Sequence, residues 1–574
     1  MKNAQKGMRS GLTNYGDPAF SLFLRKAFIK AMGYSDNALD RPIIGITNTY
    51  SGFNGCHRTV PELVQAISRG VMMAGGLPIE FPVISLHEAF SSPTSMYLRN
   101  LMAMSAEEMI RAQPMDAVVL IGGCDKTVPA LLMAAASADV PAIMTVTGPM
   151  LTGEFKGERI GACTDCRRLW QAHRAGALDE SEIQAAGDRL MPTAGTCSVM
   201  GTASTMALIT EVMGMMLPGG GAIPAALADR LRHAEATGER AVALAAGGLR
   251  PSEIMTPAAF RNALKLLHAV GGSTNALVHL AAMAGRCGIE IDLEAFDRLG
   301  ADTPVLVDLK PSGKYYMEDL FRAGGLTPIL RQIQHLLELD APTVSGRTLG
   351  EELAAAPPDW PQEVVRPFDR PVSPRGGIRV LRGNLAPRGA IIKQSAASPA
   401  LLKHRGRAVV FDSLEDMDAR IDSDALDVRA DDVLVLRNAG PLGAPGMPEA
   451  GYIPIPRKLA RQGVKDMVRV SDARMSGTAF GTIVLHATPE AAAGGGIALV
   501  RDGDAIELDV ESGRIELLVD AAELDRRRKD AAPPTPDTSQ MRGYRKLFLD
   551  EVNQADEGAD FRFMLPVGRR AKVP

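Results

Sequence analysis

The first part of the chain alternates short apolar runs with longer segments of helical periodicity. One run, Ala117 to Ile121, has the length and composition of a buried strand, and it stops at a Gly-Gly pair. A helical segment opens near Thr127, with Pro129 tolerated in its first turn. The same criteria predict strands at 41–48, 79–85, 141–147 and 304–309, and helices at 61–74, at 93–111, after Cys197 and from about Ser273. Strands that alternate with helices predict an open, largely parallel sheet, whose binding sites gather at the carboxyl ends of the strands.

The second part of the chain has a different pattern. Six prolines fall between Ala354 and Gly377, which makes this stretch the best candidate for a linker. Short β-like runs follow it, at 378–381, 390–393, 408–411, 433–436, 468–470, 482–485, 498–500, 505–510 and 514–519. Many are separated by turns that contain Gly, Asp or Pro, a pattern typical of a smaller β-barrel-like or sandwich domain. The charged, proline-rich stretch 524–541 is predicted to be an exposed connection before a C-terminal helical tail.

Composition narrows the class of protein. At 574 residues the chain is too long for one core, and two or three domains are expected. The net charge of −4 gives no basic excess, so neither nucleic acid nor an anionic membrane surface is an expected partner. No apolar run reaches the roughly eighteen residues that a membrane-spanning helix needs. The N-terminus lacks the apolar core of a signal peptide, so we expect a cytoplasmic protein.

The six cysteines do not form the pattern of a disulfide framework. Three of them, Cys56, Cys124 and Cys197, occupy similar positions after predicted strands and before helices. Loops at the ends of neighbouring strands converge, so these distant thiols can share one site. Three thiolates without an obvious fourth protein ligand would leave one iron position of an iron–sulfur cluster open as a Lewis acid. Three buried structural cysteines are the alternative.

The row Cys124, Asp125, Lys126 stands at the turn between a predicted strand and a helix. Glycines at this turn allow close approach of a ligand, and a helix N-terminus favours an anion or a metal-bound oxyanion. A thiolate beside a carboxylate indicates a soft and a hard metal site close together. A tight turn with a buried cysteine is the alternative interpretation.

Other motifs favour structural roles. Cys163 and Cys166 form the only C-x-x-C, which could be half a zinc site or a redox pair. No second C-x-x-C and no paired histidines complete a zinc site, so a structural or incidental role is favoured. The glycine-dense stretches that hold Glu449 and Ser476 can be explained as tight turns. The chain contains neither a G-x-S-x-G elbow nor a P-loop, which disfavours a Ser–His–Asp hydrolase and a P-loop nucleotide-binding protein.

Six motifs together resemble the dihydroxyacid/sugar-acid dehydratase family in order and spacing. They are NGCHRT, GGCDKTVPA, GTCSVMGTAST, GGSTNA, PGMPE and SDARMSGTAFGTIVLHATPEAAAGG, and the similarity runs from about residue 41 to residue 519. The resemblance implies an N-terminal α/β domain that bears the cluster, a C-terminal β-barrel domain, and a site between them. We therefore expect an α/β fold with an N-terminal α/β/α domain around a largely parallel sheet (1–360) and a C-terminal β-barrel-like domain (377–574).

The resemblance also implies cofactors and roles for individual residues. Cys56, Cys124 and Cys197 would hold a [2Fe–2S] cluster, Glu88, Asp125, Glu449 and the carbamate of Lys126 would surround Mg²⁺, and Ser476 would be the catalytic base. His57, Ser91 and Thr478 could address sugar hydroxyls. Mg²⁺ prefers oxygen ligands and acidifies the C2 proton, the open iron helps the 3-hydroxyl leave, and a serine alkoxide can accept the proton. An enol then tautomerises to a 2-keto-3-deoxy acid.

The branch of the family sets the substrate. SDARMSGTAFGT and HEAFSSPTSMYLRNL look closer to arabinonate- and xylonate-type sugar-acid dehydratases than to the dihydroxyacid dehydratase of branched-chain amino-acid biosynthesis, which is the alternative. We expect a hydro-lyase that acts on a small sugar acid such as a pentonate, as a homodimer or homotetramer. ACTDCRRLW stands where a cysteine-free loop is expected, which puts the substrate pocket in question. A zinc or redox protein and a non-catalytic binding homologue remain as alternatives, although Ser476 and Lys126 argue against the latter.

Overall fold

The computed structural model describes residues 6–12, 14–530, 538–568 and 571–573. The helices are α1 (Pro18–Ala31), α2 (Asp36–Leu39), α3 (Val60–Met73), α4 (Ser95–Ala112), α5 (Thr127–Ala138), α6 (Thr164–Arg174), α7 (Glu180–Leu190), α8 (Thr202–Val212), α9 (Ala228–Ala245), α10 (Pro251–Ile254), α11 (Pro257–Ala269), α12 (Asn275–Arg286), α13 (Leu293–Asp302), α14 (Met317–Arg322), α15 (Thr327–Gln332), α16 (Leu349–Ala355), α17 (Leu414–Arg420), α18 (Arg457–Arg461), α19 (Ala521–Asp530) and α20 (Gly543–Glu551). The strands are β1 (Ile43–Asn48), β2 (Leu77–Pro82), β3 (Ala117–Gly122), β4 (Ala142–Val146), β5 (Gly153–Phe155), β6 (Glu158–Ile160), β7 (Ile289–Ile291), β8 (Arg379–Gly383), β9 (Ala386–Ile392), β10 (Lys403–Phe411), β11 (Val433–Leu436), β12 (Arg469–Ser471), β13 (Ile483–Thr488), β14 (Ala505–Asp509), β15 (Arg514–Leu517) and β16 (Ala571–Val573).

The first four strands form a parallel sheet in the order β2-β1-β3-β4. Ile44 of β1 lies opposite Pro78 of β2 on one side and Ala117 of β3 on the other. Strands β3 and β4 are buried along their whole length, which explains why they read as continuous apolar runs. The connection from β1 to β2 runs one way along the sheet, and the connections from β2 to β3 and from β3 to β4 run the other way. Because such crossovers are right-handed, α3 lies on one face of the sheet and α4 and α5 lie on the other. The predicted α/β fold with a parallel sheet is confirmed.

Helices α3 and α9 cross on one face of the sheet with their backbones in close contact. A Cβ atom at Gly70 would lie 2.0 Å from the Glu235 carbonyl oxygen, and one at Gly238 would lie 2.2 Å from the Ile67 carbonyl oxygen. Any side chain at either glycine would therefore push the two helices apart. The crossing holds α9 against β3 and β4, under the strands whose ends form the candidate site.

Eight later strands close into a barrel in the order β10-β11-β12-β13-β9-β8-β15-β14. The neighbours from β10 to β13 are parallel, whereas β13 and β9, β8 and β9, β10 and β14, and β14 and β15 are antiparallel. Apolar side chains such as Ile392, Val435, Val470 and Val484 fill its interior. The predicted β-barrel is thus confirmed, with eight of the nine predicted runs in its strands. The ninth, 498–500, lies in and after a 3₁₀ turn at Gly496–Leu499 instead.

The predicted strand at 304–309 is wrong. Val305 and Val307 make only isolated antiparallel bridges, to Ser373 and Val365, in the proline-rich stretch. Proline lacks a backbone N–H, so the prolines in that partner segment cannot sustain a hydrogen-bond ladder. The domain limits 1–360 and 377–574 stay a prediction.

The C-terminal tail packs on the α/β part of the protein. Helix α20 confirms the predicted helical tail, and β16 pairs in parallel with β7. The buried Arg286 of α12 forms an ion pair with Asp560 at 2.7 Å, and Arg99 donates to the carbonyl oxygens of Gly558 and Ala559. Of the predicted connection, 524–530 belongs to α19, 538–541 is described as a turn, and 531–537 lies outside the described residues.

Among the described residues, no helix combines the length and the apolar character that crossing a membrane requires. The cytoplasmic location stays a prediction.

Candidate active site

The candidate site lies where the carboxyl ends of the parallel strands meet loops of the barrel. Cys56, Glu88 and Cys124 follow β1, β2 and β3, so the sheet alone places them at one edge. Cys197 differs from the prediction, because no strand precedes it. Its neighbour Thr196 forms an isolated bridge to Pro149 in the loop after β4, which brings Cys197 to the same edge.

Three carboxylates from both parts of the chain converge. Glu88, Asp125 and Glu449 each offer an oxygen, and these oxygens lie within 4.8 Å of one another. Glu449 begins a 3₁₀ turn in the loop after β11 of the barrel. Carboxylate oxygens at this separation are a donor set of the kind that Mg²⁺ takes. The structure thus brings together the three carboxylates singled out in the sequence.

Lys126 stands among these carboxylates and is fully buried. Its Nζ atom contacts Asp125 and lies 3.6 Å from Glu88 and 3.8 Å from Glu449. The amine therefore occupies the space between the oxygens that a metal ion would need. An ammonium is a donor without a lone pair, so in this form Lys126 fits an ion pair and not a metal ligand.

Arg474 is a site residue that the sequence analysis missed. Its Nη1 donates to Glu449 at 2.7 Å, and its Nη2 lies 3.3 Å from both Glu88 oxygens and donates to Thr94 at 2.7 Å. Only 1% of its side chain is exposed. The guanidinium ties the barrel loop to the sheet loop through the two carboxylates. Its position inside the SDARMSGT motif, two residues before Ser476, could have identified Arg474 as a site residue from the sequence.

The carboxylates respond differently to this environment. Burial acts to raise the pKa of Glu88, but the charges of Arg474 and Lys126 outweigh it and hold that pKa well below its usual range. Burial raises the pKa of Glu449, against the opposing charge of Arg474. Asn275, in the GGSTNA motif, donates to Glu449 at 3.3 Å. Glu88 is therefore a fixed anion, whereas Glu449 depends on its cationic neighbours.

Four thiols gather beside the carboxylates, one more than predicted. The Cys56 and Cys124 side chains contact each other, and the Cys163 and Cys197 sulfur atoms are 3.3 Å apart. Hydrogen bonds from Cys124 and His87 lower the pKa of Cys56 to about 6, so a thiolate forms readily. Convergent thiolates are the donor set of an iron–sulfur cluster, and the thiols of this site fit that group.

The group of four thiols and the group of three carboxylates meet at two consecutive residues, Cys124 and Asp125. The Cys124 sulfur lies 3.5 Å from an oxygen of Asp125. Both residues belong to the turn between β3 and α5. The local sequence therefore sets soft and hard donors side by side, as the sequence analysis expected.

His57 is committed to the protein interior. Its Nδ1 donates to the Thr49 carbonyl at 2.8 Å, and its Nε2 accepts from the Cys124 N–H at 3.0 Å. Burial lowers the pKa of His57 to about 4, so the ring is neutral. With both nitrogens engaged, His57 positions the Cys124 turn and has no free nitrogen for a sugar hydroxyl.

The other candidate residues lie near the same edge. The hydroxyls of Ser476 and Thr478 are 2.8 Å apart, in the loop after β12. Gly477 between them has no room for a side chain, since a Cβ atom would lie 2.5 Å from the Ser273 hydroxyl. Ser91 donates to the His87 carbonyl at 2.8 Å. The predicted catalytic role of Ser476 and the substrate contacts of Ser91 and Thr478 stay predictions.

Comparison with known proteins shows which chains this sequence is similar to. Residues 41–352 match the family described as dihydroxy-acid/6-phosphogluconate dehydratase N-terminal, and residues 363–559 match its C-terminal counterpart. L-arabonate dehydratase of Azospirillum brasilense is 50% identical over 560 residues, 96% of each chain. L-arabinonate dehydratase of Rhizobium leguminosarum bv. trifolii is 46% identical over 557 residues, 96% of this chain and 95% of the relative. Dihydroxy-acid dehydratase of Acetivibrio thermocellus is 39% identical over 547 residues, 93% of this chain and 96% of the relative.

Proposed function

This chain belongs to the dihydroxy-acid/6-phosphogluconate dehydratase family, and from that premise we propose that it removes water from a pentonate-type sugar acid. The product would be a 2-keto-3-deoxy acid, and the cofactors would be a [2Fe–2S] cluster and Mg²⁺. The observation that carries the proposal is the contact between the thiol group and the carboxylate group at Cys124 and Asp125. A soft and a hard metal site side by side suit a substrate with two neighbouring hydroxyls.

The residues present fit both groups. Cys56, Cys124 and Cys197 would hold the cluster, and Glu88, Asp125, Glu449 and the carbamate of Lys126 would hold Mg²⁺. When bound, these groups would supply Lewis acidity toward the carboxylate and hydroxyls of the sugar acid. The carbamate would convert the amine among the carboxylates into an anionic oxygen donor, which resolves its misfit as a metal ligand.

The remaining steps belong to the protein's own side chains. Ser476 would accept the C2 proton as its alkoxide and become a neutral hydroxyl, and the Thr478 hydroxyl at 2.8 Å can donate to the Ser476 oxygen and orient it. Arg474 holds Glu449 and Glu88 in position through charge-assisted hydrogen bonds. The tight seat of Gly477 against Ser273 keeps the serine loop in one place.

Similarity and residue types support a sugar acid over a branched dihydroxy acid. The L-arabonate dehydratase is 50% identical to this chain, and the dihydroxy-acid dehydratase of A. thermocellus is 39% identical. Ser91 and Thr478 provide hydroxyls near the site for the additional hydroxyls of a sugar. Dihydroxyacid dehydration in branched-chain amino-acid biosynthesis is the second candidate, because the same donor sets would serve it.

A substrate panel under anaerobic conditions tests the proposal. Pentonates, hexonates and a branched 2,3-dihydroxy acid are each incubated with the purified protein, and 2-keto acid formation is measured. We expect the highest kcat/KM with a pentonate. Preference for the branched acid would transfer the assignment to the second candidate, and no product with any acid would refute the proposed reaction.

Ser476→Ala tests the catalytic base. We expect iron, sulfide and Mg²⁺ contents equal to those of the wild type, with loss of both turnover and exchange of the substrate C2 hydrogen with solvent, because only the proton acceptor is removed. Ser512→Ala, in an exposed turn, is the matched control and should retain both activities. Persistent C2 exchange in the Ser476 variant would place the base elsewhere.

A further inference from the structure

Four thiols of the site contact one another in two pairs, and Cys163 also contacts Cys166 of its own C-x-x-C. Cys56 contacts Cys124, and Cys163 lies 3.3 Å from Cys197 by their sulfur atoms. Two thiolates on one tetrahedral metal with bonds of about 2.3 Å stand roughly 3.7 Å apart. The separation of Cys163 and Cys197 is close to that distance. Two pairs of cysteines, one pair for each iron, is the ordinary ligand set of a [2Fe–2S] cluster.

Cys163 is held at this position by its neighbours in the chain. The Ala162 carbonyl accepts from the Ser198 N–H at 3.0 Å, which joins the segment before Cys163 to the segment after Cys197. The Thr164 hydroxyl donates to the Thr478 carbonyl at 2.9 Å, and this joins the other side of Cys163 to the serine loop. Cys163 is thus tied to both halves of the candidate site.

A buried polar cluster anchors the same loop further along. Asp165, with 1% of its side chain exposed, accepts from Lys310 at 3.0 Å and from the Tyr316 hydroxyl at 2.8 Å. Cys166 differs from Cys163 in its surroundings, since it packs against the apolar cluster that contains Ile160 and Leu169. The side chains of Cys163 and Cys166 nevertheless contact each other, and Cys163 also contacts Cys197.

We propose that Cys163 is a fourth ligand of the cluster in the substrate-free protein, paired with Cys197. The inference rests on the proposed function, because it needs the cluster, and it concerns a residue outside the three-cysteine set. Binding of the sugar acid would release Cys163 as a thiolate by ligand exchange, without a change of oxidation state. Before the sugar acid binds, Cys163 would shield the cluster from solvent.

Variants of the two cysteines of the C-x-x-C test whether Cys163 is a ligand. Cys163→Ala and Cys166→Ala are purified anaerobically beside the wild type, and iron, sulfide, the electron paramagnetic resonance spectrum of the reduced protein and its reduction potential are measured. Replacement of an anionic thiolate by a neutral ligand raises the potential of a cluster. We expect Cys163→Ala to show a more positive potential and an altered spectrum, and Cys166→Ala, which removes a neighbour of Cys163 and not a ligand, to keep the iron and sulfide contents and the spectrum of the wild type.

Alkylation of the wild-type protein, mapped by mass spectrometry, gives a test that needs no variant. Cys163 should be protected in the cluster-loaded protein, and that protection should be lost on addition of a pentonate or on removal of the cluster. If Cys163→Ala fails to fold or to retain the cluster, this labelling decides, and equal labelling with and without cluster overturns the inference.

The outcomes separate the two proposals. A cluster-loaded Cys163→Ala protein with the spectrum and potential of the wild type refutes the role of Cys163 and leaves the proposed function standing. Absence of iron and sulfide from the wild-type protein refutes the proposed cofactor and the inference with it.

Discussion

Replacement of Lys393 by methionine should raise the free energy of unfolding near neutral pH. It should also abolish the rise of that free energy with pH that we expect of the wild type above pH 7. Lys393 follows β9, is fully buried, and donates one hydrogen bond, to the Gly477 carbonyl at 3.3 Å. Burial is the only influence that shifts its pKa, and no neighbouring carboxylate among the described residues offsets it. Burial lowers the pKa of Lys393 from 10.5 to about 7, since nothing compensates the desolvated charge.

The size and sign of the effect follow from the two pKa values. Between pH 7 and 10.5 the unfolded chain holds a proton that the folded protein has released, so the free energy of unfolding rises with pH. The slope is about 1.4 kcal/mol per pH unit, and the interval between the two values corresponds to about 5 kcal/mol. Methionine has a similar length and no charge, so Lys393→Met should remove both this penalty and its pH dependence.

Urea unfolding of the cofactor-loaded protein at several pH values measures the difference. We expect Lys393→Met to exceed the wild type in unfolding free energy by a few kcal/mol at pH 7, and this advantage to fall by about 1.4 kcal/mol per pH unit between pH 8 and 10. Lys403→Met is the matched control, because the Lys403 side chain is 84% exposed at the start of β10. A constant difference between Lys393→Met and the wild type across this pH range would refute the reasoning.

Three further changes test other contacts. Lys126→Arg keeps the charge but cannot form a carbamate, so elemental analysis should show loss of Mg²⁺; an unmodified Lys126 ammonium in a metal-loaded, active structure would contradict the carbamate. Gly70→Ala forces α3 and α9 apart and should lower the unfolding free energy by about 1–3 kcal/mol, whereas Gly187→Ala, where nothing lies within 4 Å of the added methyl, should not. Asp560→Ala leaves the buried Arg286 with only its longer ion pair, to Glu107 at 3.4 Å, and should cost about 3 kcal/mol in urea unfolding, with faster proteolysis of the tail; unchanged proteolysis would argue that the ion pair with Asp560 does not hold the tail.

The sequence by itself determined the elements and much of the donor set. Continuous apolar runs such as Ala117–Ile121 predict buried strands because both faces of a parallel sheet are covered. Strand-end turns then place Cys56, Cys124 and Asp125 at one edge, since parallel strands end on the same side. The short β-like runs after the proline-rich stretch predicted a barrel-like or sandwich domain, and the structure contains a closed barrel. These features depend on local pattern, which the chain displays directly.

Where the local pattern was ambiguous, the neighbouring segment in the folded protein decided whether a strand formed. The run 304–309 has the composition of a strand, but the segment beside it is rich in proline and offers too few N–H donors for a ladder. Similarly, 498–500 is apolar because it is buried under the barrel, not because it extends one of its strands.

Only the tertiary structure decided how distant side chains meet. Arg474 joins Glu449 to Glu88 across the two parts of the chain, and Cys163 reaches Cys197 through hydrogen bonds between their flanking segments. His57, polar and next to a ligand candidate, is buried with both nitrogens occupied. Such contacts depend on which loops converge, and on which polar groups are buried away from water and must find hydrogen-bond partners in the protein. Neither is set by the residues adjacent in sequence, so both had to be found in the folded protein.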